Sequence, residues 1–444
     1  MNSDLERAGS AEAGAAAVST HTPAAVDGPG NGASRWTDGS MTTRVKKRYA
    51  AERRFRFFGL VAVGISVLFL AFLLVTMAAK GIGGFTRMEA PVTIDFPASD
   101  VIIDPQSLEG PGAQGIVAGA NLSATIREAA IAQYGPEAEE LFTDGAERAL
   151  GDKLVEDPSM LTRKVTVELP VSSKVEIAAK DEGDVESEAL VALVEAKGDL
   201  SRSFNSTFLT ASDATDPSAV GVWGALKGSL LTIIVTMVLA FPIGVLSAIY
   251  LEEFAPRNRW TDMVEVSINN LAAVPSIIFG LLGLAVFLNF MHLPRSAPIV
   301  GGLTLALMTM PVIVIAGRNA IKAVPPSIRD AALGVGASKM QVVFHHVLPL
   351  ALPGILTGTI IGLARALGET APLLLIGMRA FITSPPQGFT DPASVLPVQI
   401  FLWSDEVDRG FVEKTSAAII VLLIFMLLMN GLAIYLRNRF EQRW

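Results

Sequence analysis

The sequence predicts an all-α polytopic membrane protein with an inserted α+β domain outside the bilayer. Three observations carry that expectation. Of the 444 residues, 51% are hydrophobic and the mean hydropathy is +0.47, beyond the usual range of soluble domains. About six apolar stretches are each long enough to cross a ~30 Å hydrocarbon layer at 1.5 Å per residue. The charge is also divided: residues 81–222 hold 10 basic and 25 acidic side chains, a net of −15, so the remainder carries +7 of the chain's −8.

Residues 1–40 are rich in Ala, Gly, Ser, Thr and Pro and have too little large apolar content for a core, which predicts a disordered tail. The stretch lacks the order of a signal peptide. A dense basic run from Arg44 to Arg56 follows, completing a basic, cytoplasmic N-terminal region over 1–56. The first span is expected at 57–80. The others are expected near 226–250, 266–290, 298–317, 350–376 and 416–436, the fifth interrupted by Arg365 and Glu369.

Lys and Arg in the short flanks set the orientation. With Arg44 to Arg56 inside, alternate threading puts Arg257 and Arg259, then Arg318 to Lys339, then Arg437, Arg439 and Arg443 on that same side. Both termini are therefore expected in the cytoplasm and residues 81–222 outside it. Within that insert, Ser123 to Leu150 reads as two helices broken at Gly135-Pro136. Lys164 to Val175 alternates like a strand or hairpin, with Pro170 marking an edge or bend, and Ser187 to Lys197 reads as a short helix. The insert contains no repeat and no catalytic grouping. Its carboxylates read either as a solvated acidic surface or as a docking surface for a basic partner.

Several chemistries are excluded. There is no cysteine, hence no disulfide, thiolate metal site or thiol nucleophile. The histidines at 21, 292, 345 and 346 lack metal-ligand company. No GxxxxGK[ST] occurs, because GVGASKM at 334–340 has the wrong spacing, so the chain has no nucleotide loop of that kind.

Three motifs point to function. From Asp330 to Pro349 the chain reads DAALGVGASKMQVVFHHVLP, a polar segment between apolar spans. A helix over 325–334 can follow Pro325-Pro326, Gly336 permits a sharp bend, and 338–347 can form a second helix ending near Pro349. The second motif, ARALGETAPL, spans Ala364 to Leu373. Arg365 would lie about 22 Å along a helix begun at Leu350, at a depth where a cation must face the bundle interior. Glu369, four residues on, would share its helical face. The guanidinium fork suits tetrahedral oxyanions, and Thr370 adds a hydroxyl; the pair reads either as a transport path or as a structural lock. The third motif is LAAVPSIIFGLLGL, Leu271 to Leu284. In it Pro275 frees a carbonyl that Ser276 can resatisfy, and Gly280 and Gly283 allow close helix contact. Pro242 and Pro311 mark bends in two other spans, while Asn269 and Asn270 read as helix-entry polar groups.

The first motif resembles the EAA loop of ABC importer permeases. Asp330, Ala331, Ala332, Gly336, Leu348 and Pro349 fall in register with it; Asp330 for Glu and His346 for an aliphatic residue are departures. The other two motifs resemble segments of phosphate permease subunits, and all three occur in the family's order from near Trp223 to the C-terminus. The resemblance is nearer to the PstA-type than to the PstC-type sister subunit. It implies a type I ABC importer permease core over 223–444 with a coupling loop at 325–349, in a bacterial inner membrane. The implied partners are an ABC ATPase dimer, a second permease subunit of the PstC type, a periplasmic phosphate-binding protein and the lipid bilayer, with no nucleic acid. No cofactor is expected on this chain, since ATP-Mg belongs to the ATPase. It also implies inorganic phosphate as cargo without catalysis by this chain. Sulfate, molybdate or phosphonate transport, or a non-transporting sensor or scaffold, are the alternatives.

Overall fold

The structure, a computed structural model, describes residues 39–110, 112–180, 185–197 and 200–440. The tail expected over 1–40 falls almost wholly outside them, as does Arg443. The chain divides into two units, Met1–Leu73 and Leu74–Trp444. The described part of the first belongs to helix α1, Gly39–Gly81, which starts well before the apolar run. Arg44 to Arg56 contains no Gly or Pro to stop it, and Arg56 pairs with Glu52 one turn back. From Thr43 to Leu73 its side chains are exposed, which over the apolar run from Phe57 suits contact with lipid.

In the second unit an α+β insert precedes the remaining spans. Its antiparallel sheet has the order β2-β1-β3, with β1 at Thr86–Asp95, β2 at Lys164–Pro170 and β3 at Ser201–Phe204. Helices α2 (Leu122–Tyr134), α3 (Asp144–Glu156), α4 (Ser173–Ala178) and α5 (Val185–Lys197) accompany it. The two expected helices do break at Gly135, whose φ is 110°. Lys164 to Val175 is not a hairpin, however. The strand ends at Pro170 and the chain turns into α4, because β2 already has its partner in β1. The central strand β1 contains Pro91, a residue that argues against a central strand. β3 pairs only with Thr86 to Glu89, so one side of β1 is open at Pro91, where a missing N–H removes no ladder bond. Gln133 covers the open side: its Oε1 accepts from Thr93 N at 2.9 Å and its Nε2 donates to Pro91 O at 3.0 Å. Val92, Ile94, Val167 and Leu169 bury one set of alternate strand positions against Ile126, Leu150 and Leu154.

The helical core then runs α6 (Trp223–Ile249), α7 (Arg259–Ala272), α8 (Ser276–Gly283), α9 (Pro298–Lys322), α10 (Pro326–Gly334), α11 (Leu348–Gly368), α12 (Ala371–Leu375), α13 (Leu396–Ser404) and α14 (Gly410–Phe440). Among the described residues five helices are long and apolar enough to cross a membrane: α1, α6, α9, α11 and α14 with their extensions. The count reaches six if α7 and α8 form one span. The break between them is sharper than the kink expected from Pro275 within a span over 266–290. A bend of 101° separates them at Pro275, where a proline cannot continue the preceding helix. The fifth span is also shifted from its expected place, running from Lys339 with its extension and ending at Gly368 rather than near 376. Pro242 and Pro311 lie inside α6 and α9 without ending them.

Close packing without bulky side chains holds the spans together. Gly302 of α9 stands against Val235 of α6, and Gly358 of α11 against Ala316 of α9, with no room for a Cβ at either. The insert joins this core through an aromatic chain. Phe85 meets Phe208 edge-on at 5.5 Å between centroids, Phe208 meets Trp403 at 6.4 Å, and Trp403 meets Phe411 at 6.0 Å. Lys180 of the insert pairs with Glu176 at 3.0 Å and with Glu413 of α14 at 2.6 Å.

Buried Asp213 completes the junction by accepting from the Trp403 indole N–H at 3.0 Å and from Ala214 N at 3.1 Å. Burial raises its pKa above the usual carboxylate value, against the opposing pull of these donors. A raised folded pKa makes this contribution to stability largest in acid and loses it as pH climbs through that value. Asp213→Asn keeps the acceptor and should abolish that fall in the unfolding midpoint as the pH rises above about 4. Asp213→Ala leaves the indole N–H unpaired and should cost about 1–3 kcal/mol throughout that rise.

Candidate functional site

The segment between α9 and α11 is an elbow. Pro325 and Pro326 open α10, which ends at Gly334. Gly336 turns the chain with φ 87°, a conformation that L side chains rarely adopt. Ser338 and Gln341 then form a capping box that starts a turn at Lys339–Gln341. A π-turn at Val342–Val347 leads directly into α11. Ala332, Val342, Val343 and Val347 are buried against Ile249, Ile321 and Val324 at the base of the spans. Asp330, Ala331 and Gly336 are exposed, and Leu348 and Pro349 are half-buried where the elbow meets α11. His346 is exposed, so it replaces no packed aliphatic side chain here. The outer surface also shows apolar Leu333, Val335, Met340 and Phe344.

Ion pairs absent from the sequence reading hold this elbow. Arg329 of α10 donates to Glu253 Oε1 at 2.8 and 3.1 Å and to the carbonyls of Val324 and Ile321 at 2.7 and 2.9 Å. Buried Arg318, one turn before the end of α9, pairs with Glu252 at 2.6 Å and with Glu265 of α7 at 2.7 Å. Lys322 adds a contact to Glu252 at 3.3 Å. Four helical segments thereby share one charge cluster. The available signal was the pair Glu252-Glu253 ending one span on the same side as Arg318, Lys322 and Arg329.

The ARALGETAPL segment lies at the other end of α11, about 26 Å along the axis from Leu348. Arg365 Nε meets Glu369 Oε1 at 3.3 Å. Two expectations change. Glu369 is not on the helix but just past its end, where its ψ of 120° turns the chain away; the pair forms across the cap. Arg365 does not face the interior of this chain, since its side chain is 47% exposed. The helix places Ile361, Arg365 and Gly368 on one uncovered stripe. Thr370 contributes its carbonyl, which accepts from Leu373 N at 3.1 Å and Leu374 N at 3.0 Å to start α12.

The structure joins this segment to the VPS motif. A Cβ at Gly280 would lie 2.7 Å from Pro372 Cα and 2.9 Å from Pro372 O, so α8 and α12 touch through backbone. Pro275 precedes Ser276, the first residue of α8, and the Ser276 hydroxyl makes no hydrogen bond among the described residues. Asn269 and Asn270 are exposed in the last turn of α7. The elbow residues and the Arg365 segment are not brought together; α11 separates them. Gly280→Ala should force α8 off the Pro372 turn and cost about 1–3 kcal/mol. An unfolding midpoint of the detergent-solubilised variant equal to that of the wild type would contradict this contact.

Two family models match the chain. Residues 240–444 match the binding-protein-dependent transport system inner membrane component, and residues 42–189 match a domain of unknown function, DUF3333. The chain is 33% identical over 185 residues to the probable ABC transporter permease protein YqgI of Bacillus subtilis, 41% of this chain and 61% of that one. It thus spans less than two thirds of that relative's length. It is 33% identical over 208 residues to the phosphate transport system permease protein PstA 1 of Mycobacterium tuberculosis, 46% of this chain and 67% of that one. The corresponding protein PstA of Yersinia pestis is 33% identical over 215 residues, 48% of this chain and 71% of that one. Elbow, spans and relatives agree: the chain belongs to the PstA-type permeases, multi-pass inner-membrane components of binding-protein-dependent transport systems.

Proposed function

We propose that this chain carries inorganic phosphate across the inner membrane and takes the work for it from a separate ATPase through the elbow. The observation that carries the reading is the position of the two motifs at opposite ends of α11, one on an exposed knob and the other around a half-exposed arginine. The apolar side chains Leu333, Val335, Met340 and Phe344 fit the groove of a dimeric ABC ATPase, which would hold the ATP-Mg. Motion of the knob passes to α6 through Glu253 and Arg329 and to α7 and α9 through Arg318. This chain breaks no bond.

The exposed Arg365 stripe is the face that a second permease subunit, of the PstC type, would cover. At that interface the guanidinium fork can bind a tetrahedral oxyanion through two N–H groups. Glu369 balances the charge when the path is empty and limits trapping of the anion. A phosphate-binding protein would deliver its cargo from the side of residues 81–222, with the basic flanks and both termini in the cytoplasm.

The test is labelled-phosphate uptake in cells lacking only this chain, complemented with variants of matched membrane abundance. Wild type should restore uptake that excess sulfate does not inhibit. Gly336→Trp should lose it, because a bulky side chain is forced into the left-handed turn of the knob. Arg365→Lys keeps the charge without the fork and should slow uptake about tenfold. Wild-type protein in the membrane without restored uptake would contradict the phosphate reading.

A further inference from the structure

Lys227 is the only charged residue in the 27 residues of α6. It is half-buried and makes no ion pair or hydrogen bond among the described residues. A lone ammonium in an apolar helix is unfavourable, and its place near the N-terminal end adds repulsion from the helix dipole. A bound anion would relieve both.

The surroundings provide room and donors for one. Lys227 lines a cleft of about 670 Å³ together with the loop carrying Phe381, Thr383, Ser384 and Asp391. The hydroxyls of Thr383 and Ser384 are exposed and make no hydrogen bond among the described residues. Asp391 is the single carboxylate in the lining among the described residues, and it does not pair with the lysine. Its Oδ2 instead accepts from Gln387 N at 2.9 Å and Gly388 N at 2.8 Å. The cleft also has a defined relation to Arg365. Ile233, six residues along α6, packs on Leu363 and Leu367, which flank that arginine on α11. Lys227 therefore lies about 9 Å farther toward the start of α6. The same loop joins the linker of the insert, where Asp213 N donates to Ile382 O at 3.2 Å.

We propose that Lys227, with the hydroxyls of Thr383 and Ser384, forms an outer binding station for phosphate, occupied before the anion reaches Arg365. The proposal rests on the phosphate-permease reading, and its test keeps the two apart. Labelled-phosphate uptake is measured in the complete complex in cells, with Lys227→Gln, Lys227→Arg and wild type at matched membrane abundance. The Gln variant should slow uptake about tenfold, the worth of one charged hydrogen bond, while the Arg variant stays within about twofold of wild type. If the Gln variant does not reach the membrane, Lys227→Met, which suits the apolar flanks, takes its place with the same expectation. Neutral variants that transport like wild type would overturn the station and identify a lysine that merely reaches the interface. Loss in the Arg variant as well as the neutral one would also overturn it, because position rather than charge would then matter. Failure of wild type itself to transport phosphate would instead defeat the permease reading.

Discussion

The ion-pair cluster at the base of the spans is the constraint on which the rest of the core depends. Arg318 is buried, so its charge is tolerable only with Glu252 and Glu265 held at 2.6 and 2.7 Å. Removing one partner from such a pair typically costs about 3–5 kcal/mol, since an uncompensated charge is left behind. The cluster fixes the end of α6 to the end of α9, brings α7 alongside, and through Arg329 and Glu253 seats α10. An exposed loop between two apolar helices would otherwise move independently of them. Here its polar residues are tied into the same network as the spans, which is the mechanical condition for transmitting a displacement.

Above that base, cohesion comes from close approach rather than bulk. The Gly302–Val235, Gly358–Ala316 and Gly280–Pro372 contacts bring backbones together where lipid offers no hydrophobic driving force between helices. The insert follows different rules. It has a sheet and an apolar core of its own, and it is joined to the spans by stacked aromatics, the Asp213–Trp403 bond and the pairing of Lys180 with Glu413. The insert thereby contacts α13 and α14 directly.

Much of this was legible in the residues. Membrane spans declare themselves through apolar length, and the elbow through its prolines, Gly336 and polar composition, all local signals. Nonlocal features were harder to read. β1 was hidden because Pro91 argues against a central strand, and only the early end of β3 and the amide of Gln133 make it acceptable. The 101° bend at Pro275 looked like a kink in one span because apolar residues continue on both sides. Arg365 was expected inside the bundle because depth demands compensation, yet its side chain stands on an uncovered stripe of α11 with Glu369 across the helix end. The cluster of Glu252, Glu253, Arg318 and Arg329 pairs residues up to 76 positions apart, beyond the reach of any periodicity.

In the proposed mechanism, motion enters the spans through the Arg329–Glu253 pair. Exchanging the charges tests it most directly: Glu253→Arg, Arg329→Glu and the double variant are compared for phosphate uptake and for ATP hydrolysis by the assembled complex. The account predicts that each single exchange uncouples hydrolysis from uptake and that the double exchange restores a substantial part of the coupling. Single exchanges that transport as well as wild type, or a double variant no better than the worse single one, would contradict it.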